Sequence, residues 1–189
     1  LGVRPDKAAL FFHQKAYGEF ARWRITVEQF AQAVREVCEA QWLTDEQIRA
    51  AHDAHIYMVD LEVRAILDEL RRRGVSLAFA TTTNVWQTHR VEREFHALAG
   101  LVDDGRDGIR IFRSHEMGMT KTDPEGFPMI LRQLGIAPED AGTVLLVDDS
   151  PGACEAARRV GMETHQFDTD PREGVRKLRD DLTRRGLLK

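Results

Sequence analysis

Residues 143–150 read Thr-Val-Leu-Leu-Val-Asp-Asp-Ser, an apolar run that ends abruptly in two acidic residues. A short aliphatic run bounded by polar residues is typical of a strand buried inside a sheet. A stretch with helical character follows at 152–160 and is stopped by Gly161, and a further short strand is expected at 163–167. This strand–helix–strand order predicts a parallel β-sheet.

The same alternation extends through the second half of the chain. Further strands are expected at 75–80 and 109–112, and further helices at 60–73, 85–98, 124–134 and 171–185. Strands and helices that alternate with short links predict an α/β fold, in which a Rossmann-like parallel sheet carries helices on both faces.

The first third of the chain has helical signals and no strand signal. Two Thr-x-x-Gln sequences, Thr26–Gln29 and Thr44–Gln47, match the capping box that starts a helix. We therefore predict a small helical cap over residues 6–57 and an α/β core domain over residues 58–189.

Composition narrows the functional classes. The 189 residues carry a net charge of -4, which gives no electrostatic drive toward nucleic acid or anionic membranes. No apolar run approaches the roughly 20 residues that span a bilayer. Cys38 and Cys154 lie far apart and match neither a disulfide framework nor a metal-ligand spacing. A reducing, cytoplasmic setting is the expectation.

Ligands of open α/β sheets bind at the carboxyl ends of the strands, so the residues that follow each strand are the candidates for chemistry. Asp148 and Asp149 follow the strongest strand. Adjacent carboxylates repel each other unless a cation or several donors share their charge, and hard oxygen ligands favour Mg²⁺. Capping of the helix near Pro151 by Asp149 or Ser150 is the alternative, but it explains one acidic residue rather than two.

Two further residues complete a constellation. Thr81 follows the strand at 75–80, and Lys121 lies in a loop rich in Gly, Thr and Pro. Considered alone, Lys121 would be interpreted as a solvated loop lysine, and Thr81 as a cap or turn residue. A hydroxyl donor, a lysine and a metal-binding carboxylate pair at strand ends are together what a phosphoryl group requires.

The chain resembles haloacid dehalogenase (HAD) superfamily hydrolases with a small helical C1 cap, and the cap is similar to that of sugar-phosphate phosphatases. The matching strings are 77–81 for motif II, 118–124 for motif III and 144–151, continuing at 156–162, for motif IV. The resemblance implies a Mg²⁺-dependent phosphohydrolase that acts on a small phosphomonoester, a phosphorylated metabolite, through an aspartyl-phosphate.

The resemblance also implies roles for individual residues. Thr81 would hydrogen-bond a phosphoryl oxygen, and Lys121 would hold the nucleophile and the phosphate. Asp148 and Asp149 would bind Mg²⁺. Two neighbours depart from the family pattern, because Thr82 replaces the common Asn of motif II and Thr122 the common Pro of motif III.

Motif I, the DxD sequence that supplies the nucleophile and the general acid/base, is not found after a strand ahead of the cap. We expect it upstream of Leu1, on a central strand between the strands that end at Thr81 and Asp148. Residues 168–170 spell Asp-Thr-Asp, but they follow motif IV, and we interpret them as a coincidence.

Three other functions are alternatives. A catalytically silent HAD-fold protein could serve as a binding or regulatory module, and a DxD sequence upstream would favour the enzyme instead. A haloacid dehalogenase shares the nucleophile and the lysine but needs no Mg²⁺, so the Asp148–Asp149 pair argues against it. A phospho-acceptor signalling domain carries its Asp pair after the first strand, whereas the pair here follows the third, so the order argues against that function. The substrate and the oligomeric state are not predicted, although cap residues offer candidate substrate contacts: His13, Arg22, Trp23 and Trp42.

Overall fold

The computed structural model describes residues 2–8, 10, 15–54, 60–94 and 109–189. These residues form two compact units. The first unit comprises the described residues of Leu1–Met58, Thr81–Ala99 and Arg113–Thr120, and the second those of Val59–Ala80, Gly100–Phe112 and Lys121–Lys189. Within the described ranges, we find no helix that has both the length and the apolar character needed to cross a membrane.

The first unit is helical. Its helices are α1 (Pro5–Ala8), α2 (Lys15–Ala21), α3 (Val27–Val37), α4 (Asp45–Asp53), α6 (Val85–Glu94) and α7 (Ser114–Met117). The helix starts predicted at both capping boxes are confirmed. The Thr26 hydroxyl accepts the N–H of Gln29, whose side chain accepts the N–H of Thr26, and Thr44 and Gln47 make the same reciprocal pair.

An aromatic core holds the first unit together. The rings of Phe20 and Phe30 stack with centroids 4.5 Å apart, and the edge of Trp86 packs against both rings. All three side chains are buried. Trp86 lies on α6, so this core joins the segment that follows residue 81 to the N-terminal helices. The predicted boundary between residues 57 and 58 stays a prediction.

The second unit contains the strand–helix alternation. Its elements are α5 (Leu61–Arg72), β1 (Ala78–Thr81), β2 (Arg110–Arg113), α8 (Gly126–Leu134), a 3₁₀ helix (Pro138–Thr143), β3 (Leu145–Asp148), α9 (Pro151–Arg159), β4 (Glu163–Gln166) and α10 (Pro171–Arg184), the last residues of β1 and β2 falling in the first unit. Strands β3 and β4 pair in parallel, with Leu145 opposite Glu163 and Asp148 opposite Gln166. The predicted α/β fold class is confirmed.

The strands are shorter and less buried than predicted. Strand β1 begins at Ala78 rather than at Val75, because the Val75 N–H donates to the Leu70 carbonyl and is still part of the end of α5. Among the described residues, β1 pairs with β2 and β3 pairs with β4, in two separate ladders. Ala78 and Val147 are exposed, and the full burial expected for the strand that contains Val147 is therefore wrong for the ladder that the structure describes.

One predicted helix differs at its start, and another extends beyond the described residues. Helix α8 begins at Gly126, and Pro124 lies in the turn before it rather than in its first turn. Helix α6 is described as far as Glu94, and the remainder of the helix predicted over 85–98 lies outside the described residues.

The largely buried Asp181 on α10 forms a hydrogen bond to His165 on β4 and ion pairs with two arginines at the end of α10. Asp181 accepts hydrogen bonds from His165 Nδ1 at 3.0 Å, from Arg185 Nε at 3.0 Å and from Arg184 at 2.9 Å. Burial by itself raises the pKa of Asp181. Hydrogen bonds from Arg185 and His165 outweigh that effect and hold this pKa below its ordinary value of 3.8.

We expect Asp181→Asn to lower the free energy of unfolding at neutral pH by about 2 kcal/mol, because it removes the charge of a largely buried carboxylate that accepts three hydrogen bonds. The pKa of Asp181 is lowered in the folded state, so its contribution is present above the unfolded pKa and is lost as the pH falls through the folded pKa. Urea unfolding between pH 7 and pH 3 should therefore show the difference between wild type and variant shrinking below pH 4. Asp180→Asn, at an exposed neighbour, is the control, and an equal loss in both variants would contradict this account.

Candidate active site at the carboxyl ends of two strands

Lys121 connects the ends of two strands that do not pair with each other among the described residues. Its Nζ donates to the carbonyl of Ala80 on β1 at 3.3 Å and to the Asp148 carboxylate on β3. The two side chains are largely buried, with 16% of Lys121 and 7% of Asp148 exposed. A buried carboxylate is costly unless it is paired, so the ammonium group compensates Asp148 and is held at this position in return.

Lys121 follows the loop that ends helix α7. Gly118 ends α7 with φ of 70°, a left-handed conformation that glycine adopts without strain. The chain then turns through Met119 and Thr120 before Lys121. Lys121 therefore lies in a turn rather than on a helix face.

Asp148 is fixed from a second side, and the helix that follows it is capped by a different residue. Its Oδ1 accepts the backbone N–H of Ser150 at 3.0 Å. The N-cap of α9 is Ser150, whose hydroxyl accepts the N–H of Ala153 at 3.3 Å. Capping therefore accounts for neither Asp148 nor Asp149, and both carboxylates remain candidates for metal binding.

The donor set fits Mg²⁺. Asp149 is exposed and directly follows Asp148, so the pair offers carboxylate oxygens at the end of β3. Over the described ranges there is no cluster of three or more His, Cys, Asp or Glu side chains that could enclose a metal. Mg²⁺ is commonly bound by one or two carboxylates together with waters and substrate phosphate, so a closed cage is not required.

Thr81 is the last residue of β1, and it is exposed. It directly follows Ala80, whose carbonyl accepts the Lys121 hydrogen bond. The structure thus brings Lys121 and Asp148 into contact. Asp149 follows Asp148 in the chain, and Thr81 follows Ala80. The catalytic and metal-binding roles of these four residues stay predictions.

Other candidates from the sequence have local explanations. Asp170 caps α10, and Asp168 bonds Lys177, which lowers the pKa of Asp168, so the Asp-Thr-Asp sequence has a structural role. Cys154 is buried against the backbone of Asp148, and burial followed by the charge of Asp148 raises the pKa of its thiol. The thiol therefore stays protonated at neutral pH and is a poor nucleophile.

The cap residues proposed as substrate contacts differ in their surroundings. Arg22 donates to the Gly18 carbonyl and to the Thr120 hydroxyl. Trp23 and Trp42 are 52% and 63% exposed. His13 lies outside the described residues.

One buried polar residue was missed by sequence reasoning. Ser114 is 2% exposed and makes two hydrogen bonds to the backbone of Thr83, close to Thr81. The available signal was its position two residues after the strand predicted at 109–112.

Comparison with known proteins identifies the family to which this chain belongs. A sequence profile of haloacid dehalogenase-like hydrolases matches residues 8–161. A drimenol cyclase of Aspergillus calidoustus is 27% identical over 158 residues, which are 82% of this chain and 28% of that protein. A phosphatase of Mycobacterium tuberculosis (strain CDC 1551 / Oshkosh) is 29% identical over 116 residues, which are 60% of this chain and 49% of that protein. The chain therefore spans less than half the length of either curated relative.

Solved structures show the same fold. A HAD family enzyme of Bacteroides thetaiotaomicron, in complex with magnesium and inorganic phosphate, superposes with a TM-score of 0.67 at 19% identity and covers 89% of each chain. A predicted HAD-like family hydrolase of Porphyromonas gingivalis gives a TM-score of 0.62 at 19% identity, covering 94% of this chain and 91% of that one. The profile match covers most of the sequence, and the chain belongs to the haloacid dehalogenase-like hydrolase family.

Proposed function

We propose that the protein is a Mg²⁺-dependent phosphohydrolase that acts on a small phosphomonoester. The observation that carries the proposal is the Lys121 ammonium, held against Asp148 and the end of β1 at the edge where α/β proteins bind ligands. The lysine and a metal ion bound by the carboxylate pair would together neutralise the negative charge of a phosphate ester.

In this proposal each residue has one task. Lys121 binds the phosphoryl oxygens, and the Thr81 hydroxyl donates a hydrogen bond to one of them. Asp148 and Asp149 hold Mg²⁺, which supplies charge neutralisation to the transferring phosphoryl group. The largely buried position of Lys121 strengthens its attraction to the phosphate, because little water competes there.

The attacking group is proposed to be an aspartate on a strand that pairs between β1 and β3. Support comes from the two separate ladders and from Lys121, which contacts the end of β1 and the end of β3. The carboxylate oxygen attacks phosphorus as the bond from phosphorus to the substrate oxygen breaks, and the acid/base aspartate of the DxD sequence donates a proton to the leaving alcohol, which yields an aspartyl-phosphate. Water then attacks that phosphorus, releasing inorganic phosphate and restoring the carboxylate.

One sequence relative supports the substrate class, and one protein of the same fold is in keeping with it. The Mycobacterium tuberculosis relative is a phosphatase, and the Bacteroides thetaiotaomicron enzyme has been crystallised with magnesium and inorganic phosphate. A small phosphorylated metabolite is the proposed substrate of this chain as well.

The test is product release by the full-length protein. We expect inorganic phosphate to be released from an aryl phosphate when Mg²⁺ is present, and the release to stop when a chelator removes the metal. Halide release from a 2-haloacid without Mg²⁺ would instead identify a dehalogenase. Binding of Mg²⁺ and orthophosphate without turnover of a panel of phosphate esters would favour a silent binding protein.

A further inference from the structure

The segment that follows β1 is clamped by a side chain distant in sequence. Ser114, the first residue of α7, lies in the same compact unit as Thr83. Its Oγ accepts the Thr83 N–H at 2.9 Å and donates to the Thr83 carbonyl at 2.8 Å. One hydroxyl therefore satisfies both backbone polar groups of Thr83 and fixes the two peptide planes that flank this residue.

The next residue is also fixed. Asn84 Oδ1 accepts the N–H groups of Trp86 and Gln87, at 3.1 and 3.2 Å, and so caps α6. This bonding orients the amide, so Asn84 Nδ2 donates to Nε2 of the buried His52 at 3.1 Å. Side chains from α4 and α7 thus hold Thr83 and Asn84 in place.

Thr81 and Thr82 differ from the residues that follow them. Both are exposed, whereas Thr83 and Asn84 are buried. Strand β1 holds this exposed pair on one side and Thr83 holds it on the other. The backbone that carries Thr81 and Thr82 therefore lies between strand β1 and the fixed, buried Thr83.

We propose that Ser114 is a positioning residue that presents Thr81 and Thr82 to the phosphoryl group of the substrate. This inference rests on the proposed phosphohydrolase function. Donors that are already oriented when the anion arrives bind it more tightly than donors that must first be ordered. Loss of the Ser114 hydroxyl also leaves the Thr83 N–H and carbonyl buried without this partner, which favours a rearranged loop.

The experiment uses Ser114→Ala in the full-length protein and titrates Mg²⁺ and inorganic phosphate separately by calorimetry. We expect phosphate affinity to fall on the order of tenfold, as for other residues that orient ligand-binding groups. Mg²⁺ affinity should stay at the wild-type value, because Asp148 and Asp149 lie in the other unit. A merely structural loss of stability would not separate the two ligands in this way.

Amide hydrogen exchange gives a second readout that needs no ligand. The Thr83 amide should exchange faster in Ser114→Ala, while amides inside α3 keep their wild-type rates. Ser76→Ala, at an exposed serine, is the matched control and should change neither exchange nor phosphate binding. If Ser114→Ala fails to fold, Ser114→Cys keeps a weak donor at a similar size and should show a smaller loss of phosphate affinity.

The outcomes separate this inference from the function on which it rests. Wild-type phosphate affinity in Ser114→Ala, or in Ser114→Cys where only that variant folds, would overturn the positioning role and leave the phosphohydrolase proposal intact. Equal weakening of Mg²⁺ and phosphate would also overturn it. A wild-type protein that binds Mg²⁺ but no inorganic phosphate would overturn the proposed function, and the positioning role with it.

Discussion

Replacing Lys121 by methionine is expected to lower kcat for an aryl phosphate by about two to three orders of magnitude. Methionine keeps much of the length of the side chain but removes the cation that contacts Asp148 and the carbonyl of Ala80. The negative charge of the transferring phosphoryl group then lacks a fixed partner in a largely buried place. Steady-state kinetics with saturating Mg²⁺ measures the effect.

The matched control is Lys177→Met, which removes an exposed lysine that is paired with Asp168. We expect that variant to retain wild-type kcat. Near-ultraviolet circular dichroism should show that Lys121→Met still folds, since the mutation also leaves Asp148 without its ammonium partner. A folded Lys121→Met protein with wild-type kcat would rule out a catalytic role for this lysine.

Asp149→Asn is expected to weaken Mg²⁺ binding by about tenfold or more, because a neutral amide is a poorer ligand for a hard cation than a carboxylate. The helix cap does not depend on Asp149, since Ser150 caps α9. The variant should therefore keep its stability while losing metal affinity. Isothermal titration with Mg²⁺, in the presence of inorganic phosphate, measures this change.

Asp140→Asn is the control for the change in charge, because Asp140 is an exposed residue of the 3₁₀ helix and is not part of the carboxylate pair. Its Mg²⁺ affinity should equal that of the wild type. If Asp149→Asn also binds Mg²⁺ with wild-type affinity, the pair at the end of β3 is not the metal site.

Features determined by short-range contacts could be predicted from the sequence. Each capping box is a reciprocal pair between residues three apart, and both helices begin where these pairs predicted. The order of strands and helices was also predictable, because each element leaves its own periodicity in the sequence.

Other features depend on partners that sequence spacing does not reveal. The Val75 N–H is used by the end of α5, so β1 starts later than its apolar run. Ser114 forms a hydrogen bond to Thr83, which is 31 residues away in the sequence, and no local sequence pattern predicts that contact. The exposure of Val147 likewise follows from which strands pair, which the composition of one strand does not determine.

Within the candidate site, the sequence identified the residue types but not their contacts. The order of the motifs predicted that Lys121 and Asp148 belong to one site, and the structure shows these two side chains in contact. The sequence could not show that Asp148 also accepts the N–H of Ser150, because that hydrogen bond depends on the conformation of the turn after β3. The proposed roles of Thr81 and Asp149 rest on the resemblance, and the Mg²⁺ titration of Asp149→Asn tests the second of them.

The most direct test of the proposed chemistry is to trap the covalent intermediate. The full-length protein is mixed with Mg²⁺ and an aryl phosphate, quenched during turnover and reduced with borohydride, which converts an aspartyl-phosphate to homoserine. Mass spectrometry then locates the modified residue. We predict one homoserine, on an aspartate of a strand that pairs between β1 and β3. Homoserine at Asp148, Asp149, Asp168 or Asp170, or turnover that leaves no trapped residue, would contradict this account.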